Sequence, residues 1–395
     1  MLMNKDNSNL IPNGLTIGII GGGQLGKMIG LEAKRMSMKI AILDPDPNCP
    51  ASTIADKVII DDFKNESSIR KLAEISDVLT YEIELTNSSI LEDLVSQNFT
   101  VHPSPQTLRI IQNKFRQKQF LLDNGIPVAR FERAESLEQI KRKCNEFGYP
   151  VVLKACEDSY DGRGNYIVKS PEDIETGIRL FNRECMVEEF INFSKEVSIM
   201  VARNIKGQIQ SFPVAENVHN ENILSTTIVP ARISELATRK ARELAEKTIE
   251  ILKGAGIFGI EMFVLQDDSL LINEIAPRPH NSGHYSIEAC SISQFEQHIR
   301  AIVGLPISKP ILLSPAVMIN ILGNDTFSGV YSLANIKKIM NISGLKLHVY
   351  GKQITKPQRK LGHMTIMDTS LERALFKAKL ASSMICIKKR ANPCE

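Results

Sequence analysis

The stretch LTIGIIGGGQLGKM, residues 15–28, decides the fold class. An apolar run at 15–20 meets three consecutive glycines, and a helical pattern follows from about residue 24 to 36. Glycine permits the tight turn that such a strand-to-helix connection needs. Backbone amides at the start of the helix attract phosphate groups. The stretch therefore predicts the opening of a parallel α/β domain, with an anion site at residues 21–26.

The glycine turn at residues 21–26 is open to three interpretations. It satisfies G-x-G-x-x-G, and Asp44 ends the next strand, where a dinucleotide-binding domain places its ribose-binding acid. Alone, this pattern suggests NAD. The turn could also be a tight connection without a ligand, or it could hold the phosphate of another substrate. The rest of the chain favours the last interpretation.

Alternating strand and helix patterns extend the α/β domain to about residue 110. Residues 106–124 are predicted to form one helix that leads into a second region, where strands mix with a helix near 234–253. The predicted strands of the chain are 15–20, 39–43, 58–60, 78–81, 151–155, 166–168, 186–190, 197–202, 258–265 and 270–275. After Pro310 the pattern changes to short strands and turns, which suggests a small C-terminal domain.

Composition excludes several classes of protein. The 395 residues are 43% hydrophobic, and the net charge of +3 gives no reason to expect nucleic acid or a membrane as partner. The first fourteen residues are polar and lack the apolar core of a signal peptide. Seven scattered cysteines without a C-x-x-C pair indicate thiols rather than zinc ligands or disulfides. We expect a cytoplasmic enzyme of two or three domains.

Two glutamates frame a predicted hairpin at residues 258–275. If its turn is centred on Asp267-Asp268, then Glu261 and Glu274 lie opposite each other, with Cβ atoms about 5 Å apart. Carboxylates that close repel each other, and a divalent cation removes the conflict. Oxygen ligands suit Mg²⁺, and Asn273 offers another oxygen. The alternative is a solvated edge hairpin with exposed acids.

Two further segments carry groups that suit an anion. The turn at 159–165 contains two glycines whose amides could cover phosphates, and Lys154 ends the strand before it; a plain hairpin turn is the alternative. The run at 273–284 gathers histidine, arginine, asparagine and serine behind a strand. Arginine can hold an anion through two hydrogen bonds, and the other side chains can orient one. We predict that the run at 273–284 is functional.

Together these segments resemble the N5-carboxyaminoimidazole ribonucleotide synthetases, an ATP-grasp family of purine biosynthesis. The resemblance runs from about residue 15 to 366, and its most specific motif is NEIAPRPHNSGHYSIEAC at 273–290. Its other motifs are GGGQLGKM (21–28), LDPDPNCPAS (43–52), TYEIE (80–84), YDGRG (160–164), ENVH (216–219), VPARI (229–233), SQFEQH (293–298), YGK (350–352) and RKLGHMT (359–365).

The resemblance implies an architecture and a reaction. It implies a Rossmann-like pre-ATP-grasp domain at 1–113, an α+β ATP-grasp domain at 114–312 with a mobile lid at about 125–190, and a small β-rich domain at 313–395. It implies ATP-dependent carboxylation of 5-aminoimidazole ribonucleotide by bicarbonate, through carboxyphosphate, with release of ADP and phosphate. It also implies Mg²⁺, a homodimer, and a product that passes to a separate mutase.

The resemblance also implies roles for individual residues. ATP would be held by Lys114, Lys154, the loop Ser159, Tyr160, Asp161, Gly162, Arg163, Gly164 and Asn165, the adenine-reading segment Glu188, Glu189, Phe190 and Ile191, and Glu196, His219, Asn273 and Glu274. The catalytic residues around bicarbonate would be Tyr160, Asp161, Arg278, His280 and Asn281. The ribonucleotide would contact Gly23, Gln24, Leu25, Glu82, Lys352 and Arg359. Glu261 and Glu274 would hold Mg²⁺.

The chain departs from the family pattern in the predicted lid. Residues 156–159, Cys-Glu-Asp-Ser, replace a basic, glycine-rich segment, and Lys114 stands where the family leads us to expect arginine. Acids near the phosphates of ATP would repel them. Two alternatives to the ligase remain. The acids of the lid suggest an ATP-binding regulator with weak catalysis, and residues 21–26 with Asp44 suggest an NAD-dependent oxidoreductase.

Overall fold

The structure is a computed structural model that describes residues 14–157, 164–179 and 184–390. The chain divides after Pro105 into two compact units. Five residues of the predicted lid loop, Ser159, Tyr160, Asp161, Gly162 and Arg163, lie outside the described residues.

The first unit is the predicted parallel α/β domain. Its elements are β1 (Thr16–Ile20), α1 (Gln24–Arg35), β2 (Lys39–Asp44), a short 3-10 helix (Pro50–Thr53), β3 (Lys57–Ile60), α2 (Glu66–Glu74), β4 (Val78–Tyr81) and α3 (Ser88–Ser96). The strands form a parallel sheet in the order β3-β2-β1-β4. Because β1 is central, its apolar residues are almost entirely buried, as expected for a sheet covered on both faces.

The second unit begins with two helices where the sequence predicts one. They are α4 (Pro105–Gln112) and α5 (Lys114–Asp123). Asn113 separates them in an extended conformation, and its side chain accepts a hydrogen bond from the Arg116 amide. Asparagine competes for backbone groups in this way and favours caps over helix interiors. The prediction of a single helix over 106–124 was therefore wrong at Asn113.

A small antiparallel sheet follows within the predicted lid. Its elements are β5 (Phe131–Ala134), α6 (Leu137–Phe147), β6 (Val151–Ala155), β7 (Asn165–Val168), α7 (Asp173–Arg179) and β8 (Cys185–Glu189). The strand order is β5-β8-β6-β7. The sheet has a separate apolar core, which includes Ile140, Leu153 and Val187. This core is distinct from the apolar cluster that packs against β9 and β13 of the larger sheet.

A nine-stranded sheet forms the body of the second unit. The elements are β9 (Lys195–Arg203), β10 (Ile209–Ser211), β11 (Ala215–Asn220), β12 (Ile223–Val229), α8 (Glu235–Leu252), β13 (Gly256–Val264), β14 (Leu270–Ala276), α9 (Ser286–Ala289), α10 (Gln294–Ile302), β15 (Ala316–Leu322), β16 (Gly329–Ala334), α11 (Ile336–Met340), β17 (Leu345–Val349), β18 (Ile354–Thr355), β19 (Lys360–Met367), α12 (Leu371–Met384) and β20 (Cys386–Lys389). The strand order is β14-β13-β9-β11-β12-β15-β19-β17, with β10 beside β9.

The large sheet contains strands from both sides of residue 312, where the resemblance places the end of the ATP-grasp domain. Strand β12 pairs antiparallel with β15, from Thr226 with Ile319 to Val229 with Ala316. A small separate sheet has the order β18-β16-β20. The C-terminal region is rich in strands as predicted, but the pattern of short strands and turns did not indicate the 14-residue helix α12. Among the described residues, no helix has the length and apolar character needed to cross a bilayer.

Candidate active site

The two glutamates of the predicted hairpin do face each other. Glu261 on β13 is paired directly with Glu274 on β14. The register has a different origin from the one that the sequence suggested. Between this pair and the turn, the pairing is offset by one residue, so that Met262 pairs with Ile272. Asn273 on β14 is the extra residue that accounts for the offset. A β-bulge of this kind redirects a side chain locally.

The bulge brings two neighbouring residues to the same group of lysines. In a regular strand, consecutive side chains point to opposite faces. Here Lys154 Nζ donates to Asn273 Oδ1 at 3.0 Å, and Lys114 Nζ donates to Glu274 Oε2 at 3.0 Å. Lys114 and Lys154 were both predicted to bind phosphates. The structure joins them to the hairpin as one charged cluster.

A buried lysine that the sequence did not reveal completes this cluster. Lys118 lies one helical turn after Lys114, and its Nζ atom is 2.8 Å from Glu188 Oε2. Lys154 Nζ is 2.7 Å from the other oxygen, Glu188 Oε1. Burial lowers the pKa of Lys118, although Glu188 opposes the shift. Burial would raise the pKa of Glu188, but Lys154 and Lys118 outweigh it and hold this pKa below its usual value.

The ion pairs of Glu188 concern the segment Glu188–Ile191, which was predicted to bind adenine through its backbone. The Glu188 side chain is 2% exposed and holds two lysines. Its backbone lies within the sheet, paired with both Phe131 and Val152. Only Phe190 and Ile191 follow the end of β8. Backbone recognition of adenine therefore stays a prediction that concerns mainly the end of this strand.

A second group of charges surrounds Glu261. His219 Nδ1 is 3.0 Å from Glu196 Oε2, and His280 Nε2 is 3.7 Å from Glu261 Oε1. Burial, together with the negative charges of Glu196 and Glu274, raises the pKa of Glu261 to about 7. Burial would also raise the pKa of Glu274, but Lys114 outweighs it and lowers that pKa. The opposed carboxylates are thus unequal, because one has a lysine and the other faces like charges.

The carboxylate pair fits a magnesium ion. Among the described residues, no three His, Cys, Asp or Glu side chains form a metal cluster. The side-chain oxygens that could hold an ion at the hairpin are those of Glu261, Glu274 and Asn273. Mg²⁺ is commonly held by one or two carboxylates while waters and phosphate oxygens fill its shell. Burial is the main cause of the raised pKa of Glu261, and the carboxylates of Glu196 and Glu274 add to it. A cation would relieve this conflict.

The predicted catalytic histidine, His280, is held from several sides. Its Nδ1 atom lies 2.8 Å from Ser282 Oγ, which in turn lies 2.8 Å from Ser198 Oγ. The ring packs over Gly259, where an added Cβ would lie only 2.5 Å from the Cβ of His280. The glycine on β13 therefore makes the space that His280 occupies. These contacts orient His280 Nε2 toward Glu261.

The other predicted catalytic residues of the described chain follow the same strand. Asn281 is 7% exposed and forms a reciprocal amide pair with Asn320 on β15, at 3.0 and 2.5 Å. This pair engages both ends of the Asn281 amide, a constraint that the sequence did not suggest. Arg278 Nη1 donates to the Pro279 carbonyl oxygen at 3.2 Å. Arg278 also contributes to lowering the pKa of Glu274, after Lys114 and Lys154.

The glycine turn of the first unit differs from its predicted use. The Gly22 amide donates to Asp44 Oδ2 at 2.7 Å, and the Gly26 amide donates to Glu82 Oε2 at 2.8 Å. The Gly23 amide donates to Glu82 Oε1. Carboxylates thus satisfy the amides that we predicted would hold a phosphate. Asp44, on which the NAD alternative rests, accepts a hydrogen bond from the turn itself. The roles of Gln24 and Leu25 stay predictions.

The remaining predicted residues are placed as follows. Lys352 Nζ lies 6.0 Å from the ring centroid of Tyr350, and Arg359 Nη1 donates to the Ile354 carbonyl oxygen at 3.0 Å. Gly164 precedes β7, and Asn165 begins this strand, where it pairs with Lys154. The acidic residue Glu157 of the lid accepts a hydrogen bond from Asn113 Nδ2 at 3.0 Å, so at least this acid is engaged by a neighbour.

Comparison with known proteins identifies three family domains along the chain. The ribonucleotide synthetase preATP-grasp domain matches residues 15–112, and the ATP-grasp domain matches residues 119–295. The phosphoribosylaminoimidazole carboxylase C-terminal domain matches residues 316–377. The sequence of domains agrees with the predicted three-part architecture.

Relatives of known name cover most of the chain. A Bacillus subtilis N5-carboxyaminoimidazole ribonucleotide synthase is 40% identical over 91% of this chain and 93% of its own length. A Candida glabrata phosphoribosylaminoimidazole carboxylase is 43% identical over 90% of this chain, which spans only 64% of that longer protein.

A solved structure shares the fold described above. The Aspergillus clavatus N5-carboxyaminoimidazole synthase, in complex with ADP and 5-aminoimidazole ribonucleotide, superposes with a TM-score of 0.86 at 34% identity. The match covers 94% of this chain and 98% of that one. With the paired glutamates, the lysines and the polar run in place, these similarities show that the chain belongs to the N5-carboxyaminoimidazole ribonucleotide synthase family of ATP-grasp proteins.

Proposed function

We propose that the chain is an ATP-grasp ligase that carboxylates 5-aminoimidazole ribonucleotide with bicarbonate. The products are N5-carboxyaminoimidazole ribonucleotide, ADP and phosphate, and the reaction belongs to de novo purine biosynthesis. The single observation that carries the proposal is the convergence of Lys114 and Lys154 on the bulged strand at Asn273 and Glu274. Membership of the family supports the identity of the substrates.

The cluster supplies what the first chemical step requires. An oxygen of bicarbonate attacks the γ-phosphorus of ATP, the bond to the β-phosphate oxygen breaks, and ADP leaves as carboxyphosphate forms. Negative charge builds on the phosphoryl oxygens during this step, and positioned cations stabilise it. We assign that role to Lys114 and Lys154. The buried Glu188 holds Lys154, and both lysines also contact oxygens of the hairpin.

The second step needs a protected site. The amine of the ribonucleotide attacks the carboxyl carbon, phosphate leaves, and the amine loses a proton. Carboxyphosphate is short-lived in water, so closure of the lid must exclude water until the amine attacks. We assign the binding of bicarbonate to Arg278, His280 and Asn281, with Tyr160 and Asp161 from the loop. The contacts of His280 with Ser282 and Glu261 favour a fixed orientation of its ring.

Magnesium is part of the proposal. Glu261 and Glu274 would hold the ion, with Asn273 beside them, because the two carboxylates lie opposite each other across the hairpin. When bound, the ion would neutralise charge on the phosphates of ATP. Glu196 and His219, an ion pair next to Glu261, are assigned to the nucleotide.

The proposal extends to partners and location. We propose a homodimer in the cytoplasm whose product is the substrate of a mutase. The cytoplasmic assignment is supported by the cysteines of the described chain, which are free thiols. The ribonucleotide is assigned to Gln24, Leu25, Lys352 and Arg359.

An assay of ADP release tests the proposed function. We expect ADP to form when ATP, magnesium, 5-aminoimidazole ribonucleotide and bicarbonate are all present, and to fall strongly when bicarbonate or the ribonucleotide is omitted. ADP release that ignores both would overturn the ligase and favour the ATP-binding regulator. Binding of NAD without binding of Mg·ATP would favour the oxidoreductase instead.

A further inference from the structure

Two buried glutamines grip the backbone of the polar run. Gln294 on α10 has no exposed surface, and its side-chain amide forms two hydrogen bonds with His280. The His280 amide donates to Gln294 Oε1 at 2.9 Å, and Gln294 Nε2 donates to the His280 carbonyl oxygen at 2.8 Å. Gln294 Nε2 also lies 3.1 Å from His284 Nδ1. Gln294 thus binds the main chain of His280 as a neighbouring strand would.

Gln117 makes the same pair of contacts one residue beyond the carboxylate. The Ile275 amide donates to Gln117 Oε1 at 3.0 Å, and Gln117 Nε2 donates to the Ile275 carbonyl oxygen at 3.2 Å. Gln117 is 2% exposed and lies on α5, the helix that carries Lys114 and Lys118. The two glutamine clamps, Gln117 and Gln294, therefore fix both ends of the segment that bears Glu274 and His280.

Gly283 leaves room for the side chain of Gln294. An added Cβ at Gly283 would lie 2.6 Å from Gln294 Oε1 and 2.7 Å from Gln294 Cδ. No real side chain fits at that distance, so the glycine of the run allows the clamp to close. Gln294 belongs to the motif SQFEQH at 293–298, to which the sequence analysis assigned no role.

We propose that Gln117 and Gln294 are positioning residues of the proposed reaction. Gln117 holds Glu274 in line with Lys114, and Gln294 holds His280 beside Glu261. Each glutamine binds the backbone that carries these side chains, at Ile275 for Gln117 and at His280 for Gln294. The inference rests on the roles proposed above for Glu274 and His280.

A third glutamine supplies a matched control. Gln297, one turn further along α10 and also without exposed surface, holds Ser308 in the same way. Gln297 Nε2 donates to the Ser308 carbonyl oxygen at 2.5 Å, and the Ser308 amide donates to Gln297 Oε1 at 3.4 Å. Ser308 lies in the loop after α10 and outside every segment assigned to a ligand.

The test compares Gln117→Met, Gln294→Met and Gln297→Met in the full chain. Methionine keeps the length of the side chain and removes both hydrogen bonds. We expect all three to lower Tm by similar amounts. A displacement of about 1 Å can cost about 10² in rate, so Gln294→Met should lower kcat about that much and raise KM for bicarbonate. Gln117→Met should raise KM for Mg·ATP, and Gln297→Met should change neither constant.

The outcomes separate the two proposals. An inactive wild-type chain would overturn the proposed function before any variant is compared. With an active wild type, losses of kcat/KM that are equal in all three variants would overturn the positioning role alone. If a methionine variant does not fold, the asparagine variants at the same three positions keep the amide but shorten its reach. Equal losses among those would overturn the positioning role in the same way.

Discussion

Glu188 Oε1 and Oε2 bind two different lysines: Lys154 at 2.7 Å and Lys118 at 2.8 Å. All three side chains are nearly or fully buried, with 7% exposure at most. One carboxylate therefore compensates two cations where water cannot. The ion pair with Glu188 holds the Lys154 side chain in place, and Lys154 is a residue that we assign to the phosphates of ATP.

Removal of Glu188 should be far more damaging than removal of one lysine. Glu188→Gln leaves two buried lysines without a counter-charge, and breaking a buried pair in this way costs about 3–5 kcal/mol. Lys118→Met leaves Glu188 paired with Lys154, so its loss should be smaller. Urea unfolding of both variants measures the difference. Equal losses of unfolding free energy would contradict the shared-carboxylate description.

Glu274→Ala should abolish turnover while the chain stays folded. The change removes a proposed magnesium ligand and the partner of Lys114, and loss of one preorganised stabilising group typically costs about 10²–10³ in rate. ADP release measures turnover, and circular dichroism measures folding. Asp267→Ala, in the exposed turn of the same hairpin, is the control and should retain activity. Normal turnover in Glu274→Ala would refute the role of this carboxylate.

Gly259→Ala should impair catalysis through His280. The new Cβ would lie 2.5 Å from His280 Cβ and 3.0 Å from Cγ, distances that force the ring to move. We expect kcat to fall by about 10² because the histidine is misplaced, while Mg·ATP still binds. Titration of nucleotide binding separates the two effects. Unchanged kcat would show that the orientation of His280 is not important for the reaction.

Two buried histidines should make stability depend on pH. Burial lowers the pKa of His284 and of His363 well below the ordinary value, and nearby histidines add to the shift. Their contribution is fully present above about pH 6.5, the pKa of histidine in an unfolded chain. It is lost as pH falls below that value, because the unfolded chain then binds protons that the folded chain excludes.

Urea unfolding at about pH 7.5 and about pH 5.5 checks this prediction on either side of the ordinary histidine pKa. His363→Gln removes one of the two groups and should reduce the loss of unfolding free energy between these pH values. The rest of the pH dependence should persist, since His284 is unchanged and so is His102, whose pKa is lowered by burial to about 4. An identical pH dependence in the wild type and in His363→Gln would contradict the assignment to His363.

The sequence predicted the parallel sheet and the opposition of Glu261 and Glu274 because both follow from local patterns. Strand spacing and turn position are readable over a dozen residues. It predicted the correct glutamate pair from an incorrect turn centre, since the bulge at Asn273 offset the error. A bulge arises from the contacts of a strand with the rest of the fold, and alternation along the chain does not reveal it.

The features that the sequence did not indicate depend on contacts between distant residues. The glycine turn suggested a phosphate site, but Glu82, 59 residues from Gly23, satisfies its amides. Lys118 and Gln117 look like ordinary polar positions of a helix, and only the folded chain buries them. A buried lysine or glutamine is rare enough that its partner must come from elsewhere in the fold.

Strands β12 and β15 are hydrogen-bonded to each other although they belong to different family domains. Strand β12 lies in the ATP-grasp match, and β15 lies in the match to the C-terminal domain. A fragment ending at residue 312 would present β12 as an open edge, with unpaired amides and carbonyls that invite association with other chains. The C-terminal segment is therefore a structural neighbour that closes the ATP-binding body. Transfer of the C-terminal segment to another protein would therefore require a strand in that protein that can pair with β15 as β12 does.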